Sequence, residues 1–231
     1  MAKLVIFDID GTLLDSNKVD QISYIQSVEE ELGIDIGTSW QNYKNITDSG
    51  VFTEIFEKKF FKKPTKEDIE KHENTILKLL NETCAKNRNS LKEISGAKKL
   101  IKKLGSDSEW HIGIATGAYR KVALFKLDKL NIGENSFPLV TSSEFISREE
   151  IIRNCIKISK KWYNRKNFER TVSIGDAIWD IIAASKLNIP FIGIDKRGKL
   201  NKFSNCLILK NFDNYKLFLE YLDKAEPPKF F

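Results

Sequence analysis

The chain is poor in the residues that build disulfide frameworks, zinc sites and histidine-based catalytic triads: among 231 residues there are three cysteines and two histidines. Cys84, Cys155 and Cys206 are odd in number, and no two of them form a CxxC pair. A disulfide framework and a zinc site are therefore not expected. Cys155 and Cys206 stand in apolar surroundings (CIKI, CLIL) and read as core residues. His72 and His111 complete no triad; the first falls in a polar stretch and the second opens a strand, so both read as structural or solvated. No apolar run approaches the ~18 residues of a membrane helix. The opening MAKLVIFDIDG becomes acidic too early for a signal peptide. A reducing cytoplasm is the expected location. No internal repeat or low-complexity tract is present.

The formal net charge is +6, with 41% hydrophobic and 30% charged residues. That balance suits a soluble globular chain long enough for one core domain and a smaller appended one. The lysines are scattered in pairs such as Lys58-Lys59, Lys98-Lys99 and Lys160-Lys161 among acidic residues, as on solvated helix faces. No nucleic-acid or membrane partner is expected from them. A diffuse positive field would draw in an anionic small molecule weakly, in a salt-sensitive way.

Lys3 to Phe7 (KLVIF) reads as a buried strand running into the turn DIDGT. Residues 16–89 follow a helical pattern, with stripes Ile22-Ile25-Val28-Leu32, Ile55-Phe56-Phe60 and Ile69-Ile76-Leu77-Leu80. Thr65, with Asp68 three residues on, marks the third helix start. Phe52, Phe56, Phe60 and Phe61 read as the core of this block. From Ser95 strands and helices alternate: helix to Gly105, strand 111–117, helix 120–130, strand 137–141, helix 149–162, strand 170–174, helix 176–187, strands 190–194 and 206–209, and a fraying tail from Pro227. The pattern predicts a doubly wound, Rossmann-like α/β core with a mostly parallel sheet, formed by residues 1–15 and 90–231, and a small all-helical insert of residues 16–89.

Ligands of such sheets bind at the carboxyl ends of the strands. Asp8 and Asp10 follow the first strand, and two carboxylates so close invite a cation between them. Thr116-Gly117 follows the second and offers a hydroxyl and a backbone N–H to a phosphate oxygen. Ser142 to Arg148 follows the third, with Arg148 opening a helix. Asp176 ends the fourth, and Asp180 lies one helical turn on, on the same face. Carboxylates, a hydroxyl and a guanidinium on one rim suit phosphoryl transfer, and hard oxygen ligands suit Mg²⁺ better than zinc.

DxDGT, the Thr-Gly pair, the later basic residue and GDxxxD, in that order, resemble the four motifs of the haloacid dehalogenase-like superfamily, along the whole chain. The insert position resembles the subgroup of phosphoglycolate phosphatases and β-phosphoglucomutases, in which a helical cap lies between the first two motifs. The resemblance implies that Asp8 attacks phosphorus and that Asp10 protonates the leaving oxygen and then activates water. It implies Mg²⁺ held by Asp8, Asp176 and the Asp10 carbonyl, with Asp180 supporting the metal's water shell or orienting Arg148. Thr116, Gly117 and Arg148 would hold the phosphoryl group, the last in place of the family's usual lysine, with Lys121 as a fallback. Trp179 reads as packing against the sheet, and Ser142-Ser143 as turn formers or minor phosphate contacts. Thr47 and Asp48, between insert helices, either face the substrate or cap a helix.

The implied function is Mg²⁺-dependent hydrolysis of a small phosphorylated metabolite through an aspartyl phosphate. A phosphomutase of the same fold and a non-catalytic phosphate-binding or regulatory protein are the alternatives. The sequence carries no signature of oligomeric state.

Overall fold

The computed structural model describes residues 2–87, 89–106, 109–196, 198, 200 and 205–229. Strand β1 (Lys3–Phe7) runs through the middle of the molecule, with Leu4 to Phe7 all but sealed from solvent. A short strand β2 (Leu14–Asp15) leads into the insert helices α1 (Asn17–Leu32), α2 (Asp48–Phe60) and α3 (Lys66–Lys86). Strand β3 (Lys92–Glu93) brings the chain back. Then follow α4 (Ala97–Gly105), β4 (Trp110–Ala115), α5 (Arg120–Lys129), β5 (Leu139–Val140) and α6 (Arg148–Trp162). The chain ends with β6 (Arg170–Gly175), α7 (Ile178–Lys186), β7 (Phe191–Ile194), β8 (Leu207–Leu209) and α8 (Tyr215–Lys224).

Six strands form one parallel sheet in the order β5-β4-β1-β6-β7-β8. The order reverses at β1, whose neighbours come from opposite directions along the sheet. That is where a doubly wound sheet opens a crevice. Alternation along β1 sends Val5 and Phe7 to one face, against α4, α5 and α8. It sends Leu4 and Ile6 to the other, against α6 and α7, where Ile151, Ile152, Cys155 and Ala183 fill the space.

The α/β core with its parallel sheet is as expected, and each strand and helix lies within a few residues of the predicted place. All three long elements between β2 and β3 are helical, as the periodicity of residues 16–89 predicts. The two chain crossings pair as an antiparallel ribbon, Leu14 with Glu93 and Asp15 with Lys92. Thr65 and Asp68 form the reciprocal capping box of α3.

Some details differ. On α1 the apolar stripe is out of phase: Ile22 is 47% exposed, while Ser23, Tyr24, Ser27 and Val28 are buried. The reason is a buried polar chain. Ser27 Oγ lies 2.8 Å from His72 Nε2, and His72 Nδ1 lies 3.2 Å from the Tyr119 hydroxyl. His72 is thus sealed in the insert, stacked on Phe52 at 4.0 Å between ring centres, and burial lowers its pKa to about 3. Phe52 and Phe56 are core residues, but Phe60 is 42% and Phe61 93% exposed, because the helix ends there with Phe61 in the left-handed region. The tail does not fray from Pro227: the Asn205 amide donates to Pro227 O and Pro228 is buried. Phe230 and Phe231 lie outside the described residues.

Candidate active site

In the β1 register Phe7 lies level with Ile114 on one side and Ile174 on the other. One step further along the three strands come Asp8, Ala115 and Gly175, and one more brings Thr116 and Asp176. The sheet therefore delivers three of the sequence-selected positions to one edge without help from side-chain packing.

Asp8, Asp176 and Asp180 each offer a carboxylate oxygen, and the three oxygens lie within 4.8 Å of one another. One Asp8 oxygen, Oδ1, is buried with no hydrogen-bond partner. Burial raises the Asp8 pKa well above the usual carboxylate range; Arg148 opposes this, and Asp180, Asp10 and Asp176 add to it. Burial and the neighbouring Asp180 push Asp176 up to about 7. An orphaned buried oxygen and crowded carboxylates whose charge is unfavourable fit a hard divalent cation.

Gly11 is what lets the DxDGT turn close over this cluster. Its φ is +71°, and a Cβ there would stand 1.9 Å from Asp176 Oδ2. That same oxygen accepts a 2.8 Å hydrogen bond from the Asn17 amide at the start of α1.

Arg148, the first residue of α6, reaches back into the site. Its Nη1 donates to Asp180 Oδ1 at 2.7 Å and stands 3.7 Å from Asp8 Oδ2, and its Nε donates to Ile46 O at 3.1 Å. Asp180 is fully engaged: its other oxygen accepts from Ala177 N–H at 3.1 Å, capping α7. This geometry makes Asp180 the holder of Arg148. The space bounded by Asp8, Thr116, Gly117, Arg148 and Asp180 is about 10 Å³, room for one water at most. Trp179 is half-buried beside the cavity, its ring centre 5.8 Å from the Arg148 guanidinium carbon. Lys121 points away from the site, to Glu70 and Asn74 of α3.

Asp10 stands beside the cluster but its carboxylate turns elsewhere. It accepts from Ser16 Oγ at 2.5 Å and lies 2.7 and 2.8 Å from Lys126 Nζ through its two oxygens. Lys126 is 1% exposed and makes a second ion pair, 2.7 Å to Asp20 on α1. Burial works to raise the Asp10 pKa, but the Lys126 charge and the hydrogen bonds from Asp20, Lys126 and Ser16 bring it down to about 2.

Residues 46–49 latch the insert to the core. Thr47 Oγ1 donates to Ile146 O at 2.6 Å and accepts from Gly50 N–H, so it caps α2. Asp48 N–H donates to Gly117 O, and its carboxylate accepts from Tyr119 N–H at 3.0 Å. Ser49 Oγ donates to Ser142 O at 2.7 Å. Ser143 Oγ accepts from Arg120 N–H at the start of α5. Thr47 and Asp48 also line a cavity of about 430 Å³ that runs between insert and core, from Arg148 and Asp176 to Trp40 and Asp20.

Lys126, Asp20, Ser16 and Asn17 are the site residues that the sequence reading passed over. Lys126 had a signal: with Tyr119, Val122, Ala123 and Leu127 it occupies the inward stripe of α5, a rare place for a lysine without a partner. Ser16 and Asn17 had none, since a polar pair at a helix start is ordinary capping.

A family model of haloacid dehalogenase-like hydrolases matches residues 5–194. Among solved structures, β-phosphoglucomutase from Clostridium difficile superposes with a TM-score of 0.69 at 20% identity, over 97% of this chain and 98% of its own. A hydrolase from Pseudomonas syringae gives 0.68 at 20%, over 94% and 97%. CbbY from Rhodobacter sphaeroides, in complex with phosphate, gives 0.69 at 15%, over 96% and 100%. At such identities the likeness is one of fold. A search among curated proteins found no significant match. The family model spans the first strand with its acidic turn, the whole insert and the GDxxxD turn. The chain belongs to the haloacid dehalogenase-like hydrolase family.

Proposed function

We propose that the chain hydrolyses the phosphomonoester of a small metabolite through a phosphorylated Asp8, with Mg²⁺ as cofactor. The observation that carries this reading is the Asp8 carboxylate: buried, with one oxygen unpartnered, within reach of Asp176 and beside Arg148. Asp8 and Asp176 would hold the metal with their carboxylates and Asp10 with its backbone carbonyl. The bound cation would supply charge neutralisation, allowing an anionic nucleophile to meet an anionic ester.

The remaining roles belong to the chain. Asp8 attacks phosphorus as the carboxylate. Arg148, positioned by Asp180, neutralises the equatorial phosphoryl oxygens, and Thr116 and the Gly117 N–H hold them. The space at Asp8 is tight, so the guanidinium has to shift to admit the phosphoryl group. Asp10 serves as acid toward the leaving oxygen and as base toward water. In its bond to Lys126 it is ionised, the form a base needs. To act as an acid it must first swing out of that ion pair toward the cavity and take up a proton from solvent; the carboxylate left after it protonates the leaving oxygen is then the base toward water. Residues 16–89 would act as a cap that excludes water during the transfer, with the β2–β3 ribbon as its hinge and the contacts of residues 46–49 as its latch. Thr47 would act through that latch, and Asp48 would also meet the leaving group. The absence of a helix long and apolar enough to cross a membrane among the described residues is compatible with the cytoplasm, where such metabolites occur.

A phosphomutase would use the same residues, and the solved β-phosphoglucomutase shares the fold. Hydrolysis of an aryl phosphate with and without Mg²⁺, by wild type and by Asp8→Asn, tests the proposal. Release of phosphate that depends on both Mg²⁺ and Asp8 is expected; equal rates for the two proteins would refute it.

A further inference from the structure

Beyond the nucleophile the cavity is rich in carboxyl groups: Asp10, Asp20 and Asp48 line it, and Lys126 and Arg148 are the cationic side chains among the described lining residues. Lys126 is already committed, at 2.7 Å to both Asp10 and Asp20. Arg148 stands at the nucleophile end, held by Asp180. The wall also carries aromatic and apolar groups: Tyr24 and Trp40 meet edge to face at 5.6 Å, and Val51, Ile76 and Trp179 line the space with the polar Asn17, Gln21 and Thr47.

A phosphomonoester held at Asp8 must place its alcohol portion in this space, because the cavity reaches the nucleophile end through Gly117, Arg148 and Asp176. A second anionic group there would face the Asp10 and Asp48 carboxylates, with Lys126 and Arg148 both already committed. Like charges brought together in a site shielded from water repel one another. A flat or apolar surface would instead find aromatic walls, and a cationic group would find carboxylates and the faces of Trp40 and Tyr24.

We infer that the substrate is a phosphomonoester whose alcohol portion carries no second anionic group and presents a flat or apolar surface, neutral or cationic, to Trp40 and Trp179. This rests on the phosphomonoesterase reading and sharpens it: phosphorylated hydroxy acids and bisphosphates are disfavoured, and with them a mutase that needs a bisphosphate.

The test separates binding from turnover. Benzylphosphonate and 4-carboxybenzylphosphonate, neither of which can be hydrolysed, are titrated into the Mg²⁺-loaded full-length protein by calorimetry. The compound without the carboxylate is expected to bind at least ~10-fold more tightly. In Asp48→Asn, which removes a carboxylate of this wall, the ratio should fall toward one. Asp20→Asn, which gives up the pairing with Lys126, provides a second reading of the same effect. Equal or tighter binding of the carboxylate compound, failure of both to bind, or a ratio that neither substitution changes would overturn the inference. Preferred binding of benzylphosphonate by a protein that leaves aryl phosphates intact would defeat the phosphatase reading alone.

Discussion

Lys126 Nζ lies 2.7 and 2.8 Å from the two carboxylate oxygens of Asp10, in a setting where the lysine is 1% exposed. Lys126 is on a core helix, Asp10 on the turn after the first strand, and their shared neighbour Asp20 on the first insert helix. A buried lysine so placed fixes where the Asp10 carboxylate rests between turnovers. Burial works against its charge, but Asp10, Asp20 and Asp48 keep Lys126 protonated.

Lys126→Met should therefore act through Asp10. An alkyl phosphate needs its leaving oxygen protonated, whereas p-nitrophenolate leaves without help. We expect kcat/KM for an alkyl phosphate to fall ~10²-fold or more, the usual worth of a placed general acid, with a clearly smaller fall for p-nitrophenyl phosphate. Lys126→Arg should restore part of the difference. Equal losses on both substrates would mean that Lys126 serves the fold and not the proton transfer.

Arg148 holds three partners at once: Asp180, the Ile46 carbonyl and, more distantly, Asp8. A lysine keeps the charge but cannot reproduce the fork. Arg148→Ala should cost roughly 10²–10³ in kcat, as removal of a transition-state donor does elsewhere. Arg148→Lys should fall between that and wild type. Steady-state kinetics on one aryl phosphate decides it, and an unimpaired alanine variant would remove Arg148 from the phosphoryl site.

Stability should depend on pH in opposite ways with and without metal. The folded Asp176 pKa is near 7, far above that of an unfolded carboxyl, and the Asp8 pKa is raised as well. The folded state thus holds protons that the unfolded state has released. Without metal, the stability from these groups is full below the unfolded pKa near 4 and is lost as the pH rises through about 7. Mg²⁺ binds the ionised form, so its stabilisation should be larger at pH 8 than at pH 5. At 100 times Kd the gain is ~2.7 kcal/mol, or roughly 5–10 °C in Tm for a chain of this size. Thermal melts at both pH values, with Mg²⁺ and with a chelator, provide the check.

Gly11→Ala should damage the metal site more than the fold. The added Cβ meets Asp176 Oδ2 at 1.9 Å, and φ of +71° disfavours any other residue. A loss of ~1–3 kcal/mol in stability is expected. The Mg²⁺-dependent rise in Tm should disappear with it. Retention of that rise would show that the turn does not shape the cation site.

The sheet and the acidic rim were legible because both are written in short local signals. KLVIF followed by DIDGT, and TVSI followed by GDAIWD, each give a buried strand and a polar residue at its end, and the parallel register does the rest. What escaped depends on partners far apart in the chain. Lys126 meets Asp10 across 116 residues, and Asn17 meets Asp176 across 159. The stripe on α1 misled for a related reason: Ser27 turns inward to reach His72, 45 residues away, and a polar network of that kind has no period.

Acid quenching during turnover of an aryl phosphate with Mg²⁺, followed by mass spectrometry of the peptide that contains Asp8, is the most direct test. A phosphoryl group on the Asp8 side chain, absent in Asp8→Asn and lost once the substrate is exhausted, is the expected result. Steady phosphate release with no adduct on Asp8, or release undiminished in the asparagine variant, would contradict a mechanism built on that carboxylate.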